Sequence, residues 1–199
     1  MPAHNTQPKV DASVPGWIAE RLSWLDSVGN EWWRKQRLEE LIAFLPWLRA
    51  RKPSAILEIG ACTGSNLYNM AGCLAPGGFV MGIDISPRYR RLWKTVAEKL
   101  CDEGIDSGIL VGDSACLASV VGTQKFDFVF VDGDHRYPQA RQDYEQSLRI
   151  LNAGGAIGFH DMGSDACRQL WTVLAPSKLF EIVHRPGSCG IGAVGVRTG

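Results

Sequence analysis

Hydrophobic residues along the chain fall into two alternating patterns. Short apolar runs, typical of buried strands, occur at residues 56–59, 79–85, 107–112, 126–131 and 156–159. Between them apolar residues recur at the helical period, which predicts helices that end near residues 71, 100, 121, 150 and 174. This alternation favours an α/β fold with a doubly wound, Rossmann-like, mainly parallel sheet. Runs at 179–183 and 190–196 predict a closing antiparallel hairpin around a turn at 185–188, which completes seven strands.

Two amphipathic helices are predicted before the first strand. Apolar residues recur at helical spacing from Trp17 to Val28 and again from about Glu31 to Leu45. We expect residues 1–48 to form an N-terminal helical extension and residues 49–199 to form the main domain. Five of the seven tryptophans lie between residues 17 and 47, so the extension is a candidate homodimer surface. Packing of these helices on the sheet is the simpler alternative.

Composition narrows the class of partner. The chain has 21 basic and 21 acidic residues, without the basic excess that marks nucleic-acid binding, so a small-molecule partner is favoured. No apolar run approaches the ~20 residues of a membrane helix, and the polar N-terminus lacks the apolar core of a signal peptide. Six cysteines lie far apart, without zinc-site spacing. These features predict a cytoplasmic protein with reduced thiols.

The turn after the first strand has the spacing of a cofactor-binding turn. It reads Glu58-x-Gly60-x-x-x-Gly64, and the glycines let the backbone pass close to a ligand. Thr63 or Ser65 can cap the helix that follows, whose free N–H groups favour an anionic or strongly polar ligand. The dinucleotide fingerprint G-x-G-x-x-G is absent, because Cys62 and Ser65 occupy its second and third glycine positions.

Acidic residues follow the predicted strands. In doubly wound sheets the carboxyl ends of the strands meet at one edge, where ligands bind, so these acids should line one rim. Asp84, 24 residues past Gly60, can accept hydrogen bonds from both ribose hydroxyls of an adenosine cofactor. Ser114 is a candidate cap for the short helix that ends near residue 121, and residues 152–155 form a predicted turn. The five strand-end acids are Glu58, Asp84, Asp113, Asp132 and Asp161.

The glycine turn resembles the first motif of class I S-adenosylmethionine (SAM)-dependent methyltransferases. Residues 126–161, with Val-Asp-Gly-Asp-His, Leu-Asn-Ala-Gly-Gly and Phe-His-Asp around the last two parallel strands, resemble a bacterial branch of small-molecule O-methyltransferases. That branch acts on sugars and antibiotic scaffolds and is similar in core to the catechol-type enzymes. The resemblance covers about residues 38–197. It implies SAM as cofactor, held by Glu58, Gly60, Cys62, Gly64, Asn66, Asp84, Ile85, Asp113, Ser114 and Asp132, with Glu58 facing the methionine ammonium and Asp113 near the adenine amino group.

The same resemblance implies the acceptor side of the site. Asp132 matches the first metal-binding carboxylate of the family, and His160 with Asp161 matches its second pair, which implies Mg²⁺ or another divalent metal. The imidazole of His160 departs from the all-oxygen pattern and suits zinc or iron better than magnesium. His135 matches the candidate general base, and an imidazole with a pKa near 6.5 suits that task. We therefore expect His135 and Asp132 to be catalytic.

These residues predict transfer of a methyl group from SAM to a hydroxyl of a small molecule. One alternative is an NAD(P)-dependent oxidoreductase, which the sheet and Asp84 would also suit. The missing dinucleotide fingerprint and the absence of a recognisable Tyr-x-x-x-Lys pair speak against it. A non-catalytic SAM-binding protein is the other alternative, in which His135 would have no reason to accompany Asp132.

Overall fold

Seven strands form one mixed sheet in the computed structural model, which describes residues 13–30, 36–174, 177–181 and 190–195. Their order is β3-β2-β1-β4-β5-β7-β6. Neighbouring strands from β3 to β5 pair in parallel, whereas β7 pairs antiparallel with both β5 and β6. The predicted doubly wound sheet with a closing antiparallel pair is confirmed. The strands are β1 (Ala55–Ile59), β2 (Phe79–Asp84), β3 (Asp106–Val111), β4 (Phe126–Val131), β5 (Leu151–Phe159), β6 (Lys178–Glu181) and β7 (Gly192–Gly195).

Helices cover both faces of the sheet. Successive residues of a strand point to opposite faces, so Phe128 and Phe130 of β4 pack in one core cluster while Val129 and Val131 pack in the other. The first four helices share the cluster of the phenylalanines, and the last three share that of the valines. The helices are α1 (Gly16–Ser27), α2 (Leu38–Ala50), α3 (Ser65–Ala71), α4 (Arg90–Asp102), α5 (Leu117–Val121), α6 (Tyr137–Ile150) and α7 (Asp165–Leu174).

The second helix differs from its predicted bounds of about 31–45. Residues 31–35 lie outside the described residues, and α2 begins at Leu38, where the Arg37 N–H donates to Glu40 Oε2 at 3.3 Å. The helix continues past Pro46 to Ala50. Leu45 and Leu48 are both fully buried, and this burial offsets the backbone hydrogen bond that proline cannot make.

The fifth strand also begins earlier than predicted. Residues 152–155, which we expected to form a turn, belong to β5, and the pairing with β4 shifts register between Phe126 and Phe128. Gly154 within this irregular stretch has φ 76°, a conformation that glycine adopts readily, so the glycines that suggested a turn form a bulge inside the strand. The predicted turn at 185–188 lies outside the described residues.

Three of the N-terminal tryptophans pack inward. The ring centroid of Trp24 lies 4.4 Å from that of Tyr68, and that of Trp47 lies 5.0 Å from Phe180. Trp17 contacts the same core cluster, whereas Trp32 and Trp33 lie outside the described residues. The division at residue 48 stays a prediction, although α2 runs across that position. In the described part of the chain no helix is long and apolar enough to cross a membrane, and the five cysteines there are free.

Candidate active site

A cleft lies at the carboxyl ends of the parallel strands, where the strand order reverses between β1 and β4. It consists of two adjoining hollows that share Gly60, Cys62 and Asp132. The β2-side hollow, about 380 Å³, is lined among others by Asp84, Ile85, Asp113, Ser114, Gln139 and Asp143. The β5-side hollow, about 460 Å³, is lined by Gln36, Glu58, Asn66, His135, His160 and Asp161. All five predicted strand-end acids therefore lie along one cleft.

The β1–α3 turn between the hollows is fixed by backbone geometry. Gly60 has φ 88°, and a β-carbon there would lie 2.7 Å from the carbonyl carbon of Asp132 and from Cα of Gly133. The close approach of the end of β4 therefore requires glycine at position 60, whether or not a ligand also approaches the turn. Neither predicted cap is used, because the N-cap of α3 is Gly64 at φ 78° without a side-chain cap.

Two side chains brace this turn from neighbouring elements. The Trp93 indole N–H donates to the carbonyl of Cys62 at 2.5 Å, and Asp84 Oδ2 accepts from the Cys62 N–H at 2.7 Å. Asp84 Oδ1 accepts from the Ser86 N–H at 2.8 Å, so both carboxylate oxygens are oriented at the tip of β2. Ile85 beside it is 74% exposed in the hollow, an apolar surface suited to a flat ring. Sequence reasoning missed Trp93.

The far wall of the β2-side hollow combines the loop after β3 with α6. Asp113 Oδ1 accepts from the Ala115 N–H at 2.8 Å, so Asp113 caps this turn and the predicted Ser114 does not. Ser114 instead accepts from Gln139 Nε2 at 3.3 Å, and the same amide donates to Asp143 Oδ1 at 3.0 Å. Sequence reasoning missed Gln139 and Asp143; their signal was two polar residues one helical turn apart on a helix packed on the sheet.

Glu58 is a buried carboxylate at the floor of the β5-side hollow. It is 1% exposed, and its Oε2 has no hydrogen-bond partner among the described residues. Burial, together with the neighbouring charge of Asp132, raises its pKa well above the usual range, while the hydrogen bond from Asn66 opposes this shift. An unpaired buried acid next to an open hollow suits a cationic ligand group.

The β4 and β5 ends bring Asp132, His135 and Asp161 together. One ligand atom from each lies within 4.8 Å of the others, which is the spacing of a metal-binding group. His135 Nε2 lies 2.7 Å from Asp161 Oδ2, and this hydrogen bond raises the pKa of His135 to about 10. Burial alone would raise the pKa of Asp161. The hydrogen bonds from His135 and His160 outweigh burial and hold that pKa well below its usual range.

His160 lies beneath this group and is 6% exposed. Its Nδ1 is 3.0 Å from Asp132 Oδ1, and its Nε2 is 3.6 Å from Glu40 Oε2. Burial disfavours the charged imidazole, but Asp132 and the other carboxylates raise the pKa of His160 well above its usual value. His160 thus contacts Asp132 from below, and the cluster of possible ligand atoms among the described residues contains His135 and not His160.

The N-terminal helices contribute to the floor of the site, which sequence reasoning did not anticipate. Glu40 of α2 is 2% exposed and faces His160. Gln36, just before α2, lines the β5-side hollow, and both atoms of its amide lack partners among the described residues. The only sequence signal was a glutamate and a glutamine at the start of a helix, which usually indicates capping.

The sheet order, the glycine turn and the acids along one cleft define the fold of a class I SAM-dependent methyltransferase. The family model Methyltransf_24, described as a methyltransferase domain, matches residues 57–162, which is more than half of the chain. The chain therefore belongs to this family.

Two solved structures share the fold over nearly the whole chain. The O-methyltransferase from Bacillus cereus in complex with S-adenosylhomocysteine (SAH) superposes with a TM-score of 0.69 and 18% identity over 94% of both chains. TomG from Streptomyces achromogenes, an O-methyltransferase of tomaymycin synthesis in complex with SAM, gives 0.65 and 18%, over 92% of this chain and 91% of that one. At this identity the likeness shows the fold alone.

Curated relatives match over a shorter stretch. A protein from Mycobacterium avium with an O-methyltransferase name is 31% identical over 111 residues, which are 53% of this chain and 47% of that protein. Tricin synthase 2 from Oryza sativa subsp. japonica is 29% identical over 110 residues, 52% of this chain and 36% of its own length. The chain thus spans about half the length of the first curated relatives it matches.

Proposed function

We propose that this protein transfers a methyl group from SAM to a hydroxyl of a small molecule. The observation that carries the proposal is the position of the Asp132–His135–Asp161 group, directly beside a glycine turn and an adenosine-sized hollow in one cleft. The names of the mycobacterial relative and of the two structural neighbours support oxygen as the methyl acceptor.

The chemistry of residues in both hollows supports SAM as the ligand. The oriented carboxylate of Asp84 would accept hydrogen bonds from the ribose, and the exposed side chain of Ile85 would pack against the adenine. The Glu58 carboxylate, whose Oε2 lacks a partner among the described residues, fits the methionine ammonium and would be ionised by it. Bound here, SAM would supply an electrophilic methyl group on a sulfonium. The turn at Gly60 and Cys62, which separates the two hollows, would place that methyl group next to the carboxylates.

The β5-side hollow would receive the acceptor. Asp132 and Asp161 would hold a divalent metal such as Mg²⁺, which prefers oxygen ligands and would lower the pKa of a bound hydroxyl. His135 is the proposed base, and it must be neutral to accept a proton. In the metal-free protein its bond to Asp161 keeps it protonated at neutral pH. A cation at Asp161 would compete with this proton, so metal binding and the basicity of His135 should be linked.

Calorimetry on metal-stripped protein tests the cofactor first. We expect micromolar binding of SAH, with NADH as the control ligand giving no heat. Heat with NADH and none with SAH would overturn the proposal in favour of an oxidoreductase. Repeating the titration with added Mg²⁺ separates the metal requirement from the cofactor.

Turnover distinguishes the enzyme from a non-catalytic SAM-binding protein. Hydroxylated small molecules, including sugars and catechols, would be screened for SAM-dependent methylation with and without Mg²⁺. SAH binding without turnover on any acceptor class would favour the non-catalytic alternative.

A homodimer and a cytoplasmic location stay predictions from the sequence, and light scattering tests the first.

A further inference from the structure

Helix α6 presents two polar residues, Gln139 and Asp143, to the β2-side hollow. Asp143 is 1% exposed and belongs to no pair that the proposed reaction uses. Its Oδ1 accepts from Gln139 Nε2 at 3.0 Å, and Ser114 Oγ lies 3.3 Å from the same nitrogen. These three residues form a polar group in the lining of the hollow.

The chemistry of these partners fixes which way the Gln139 amide points. A carboxylate only accepts hydrogen bonds, so the NH₂ group must face Asp143, and the carbonyl oxygen Oε1 must face away from it. Both hydrogen bonds, to Ser114 and to Asp143, are made by Nε2, so neither partner uses that oxygen. Gln139 therefore offers the hollow a hydrogen-bond acceptor, and Asp143 determines that it is an acceptor and not a donor.

Asp113 is the other acceptor near this position, and the resemblance to the family pointed to it. Its carboxylate is exposed to solvent, and its Oδ1 is already used to cap the turn that follows. A hydrogen bond in contact with water discriminates weakly between ligands, because water replaces whatever is lost. Gln139 is more enclosed and is held by two partners, so it is the better discriminating group.

We propose that Gln139 Oε1 accepts a hydrogen bond from the exocyclic amino group of the adenine of the cofactor, with Asp143 as the positioning residue that orients the amide. This inference rests on the proposed SAM-binding function. It assigns selection for a 6-aminopurine, against a 6-oxopurine, to α6 and not to the loop after β3.

The test compares SAH with S-inosyl-L-homocysteine, which carries a 6-oxo group in place of the amino group. Burial raises the pKa of Asp143, so the titrations are run at about pH 8.5, which favours the ionised carboxylate over the protonated form. We expect the wild-type protein to bind SAH about tenfold or more tightly than the 6-oxo ligand, because two acceptors would oppose each other in the latter complex. In Gln139→Ala this ratio should fall to about threefold or less.

Asp143→Asn tests the positioning role separately. An amide at 143 both donates and accepts, so Gln139 can turn its NH₂ group toward the ligand, and the affinity for the 6-oxo ligand should rise. An equal loss of affinity for both ligands would mean that Asp143 has only a structural role and would overturn the positioning claim. Gln146→Ala, on the same helix but outside the cleft lining, is the matched control and should keep the wild-type ratio.

The remaining outcomes separate this inference from the proposed function. If the ratio of the affinities for SAH and the 6-oxo ligand falls in Asp113→Asn but not in Gln139→Ala, Asp113 is the residue that recognises the amino group. Asparagine can still cap the turn, so the Asp113→Asn variant should fold. Equal wild-type affinity for the two ligands would overturn the inference and leave the proposed function intact. Absence of binding to both ligands would overturn the two together.

Discussion

Replacing Gly60 by alanine tests the claim that the end of β4 packs directly on the glycine turn. Gly60 N–H donates to the carbonyl of Ile83 at 2.8 Å, and the Asp132 N–H donates to the carbonyl of Ile59 at 2.8 Å. These hydrogen bonds hold the chain at Gly60 close to the ends of β2 and β4, and a methyl group at position 60 would enter the space beside the end of β4. The nearest atoms belong to the Asp132 backbone, which cannot rotate out of the way as a flexible side chain could.

The magnitude follows from two separate costs. Positive φ costs a residue with a β-carbon about 1–2 kcal/mol. Forcing backbone atoms apart where the new β-carbon would lie 2.7 Å from two of them adds about 1–3 kcal/mol. Gly77→Ala is a matched control, because Gly77 has φ 76° with nothing within 4 Å of its β-carbon position. Gly77→Ala should therefore show only the destabilisation that comes from positive φ.

Thermal unfolding followed by circular dichroism measures the difference. At about 2–4 °C per kcal/mol for a chain of this size, the overlap alone should lower Tm in Gly60→Ala by about 2–12 °C more than in Gly77→Ala. SAH affinity should fall only in Gly60→Ala, because Asp132 moves with the displaced backbone. Equal losses of Tm in the two variants would refute the packing argument, and an unchanged SAH affinity would show that the turn tolerates the shift.

Three further changes probe the site. Asp132→Asn should weaken Mn²⁺ binding, followed by electron paramagnetic resonance, about tenfold or more. Asp134, whose carboxylate pairs with Arg136, supplies the control, and Asp134→Asn should not weaken it; equal effects would argue against a metal at Asp132. The pKa of His135 is raised from 6.5 to about 10, so its stabilising pair is complete below pH 6.5 and is lost as pH rises through 10. Urea midpoints should therefore fall between pH 7 and 10 in the wild type and less in Asp161→Asn, and parallel curves would contradict this. Trp93→Phe removes the hydrogen bond to the glycine turn and should cost about 1 kcal/mol in urea unfolding, with weaker SAH binding; no change in either would show that the turn is rigid without it.

Much of the fold could be predicted because it depends on local periodicity. The run at β4 has no polar alternation, which indicates a strand buried on both faces, and Phe128 and Val129 do pack in opposite cores. The position of Asp84 and Asp132 followed from topology, since the carboxyl ends of parallel strands meet at one edge. Local signals failed where tertiary packing competed with them, as at Pro46, where burial of the flanking leucines carries α2 onward.

The sequence by itself therefore determined the order of strands and helices, the glycine turn and the edge at which the acids gather. Only the tertiary structure decided which side chains face each other there. It placed His135 beside Asp161, brought Glu40 of a distant helix against His160, and turned the Gln139 amide with Asp143. Periodicity is a property of neighbouring residues, whereas these contacts depend on the distances and angles between elements far apart in the chain. Hydrogen-bond direction and charge pairing are set only once those elements have packed.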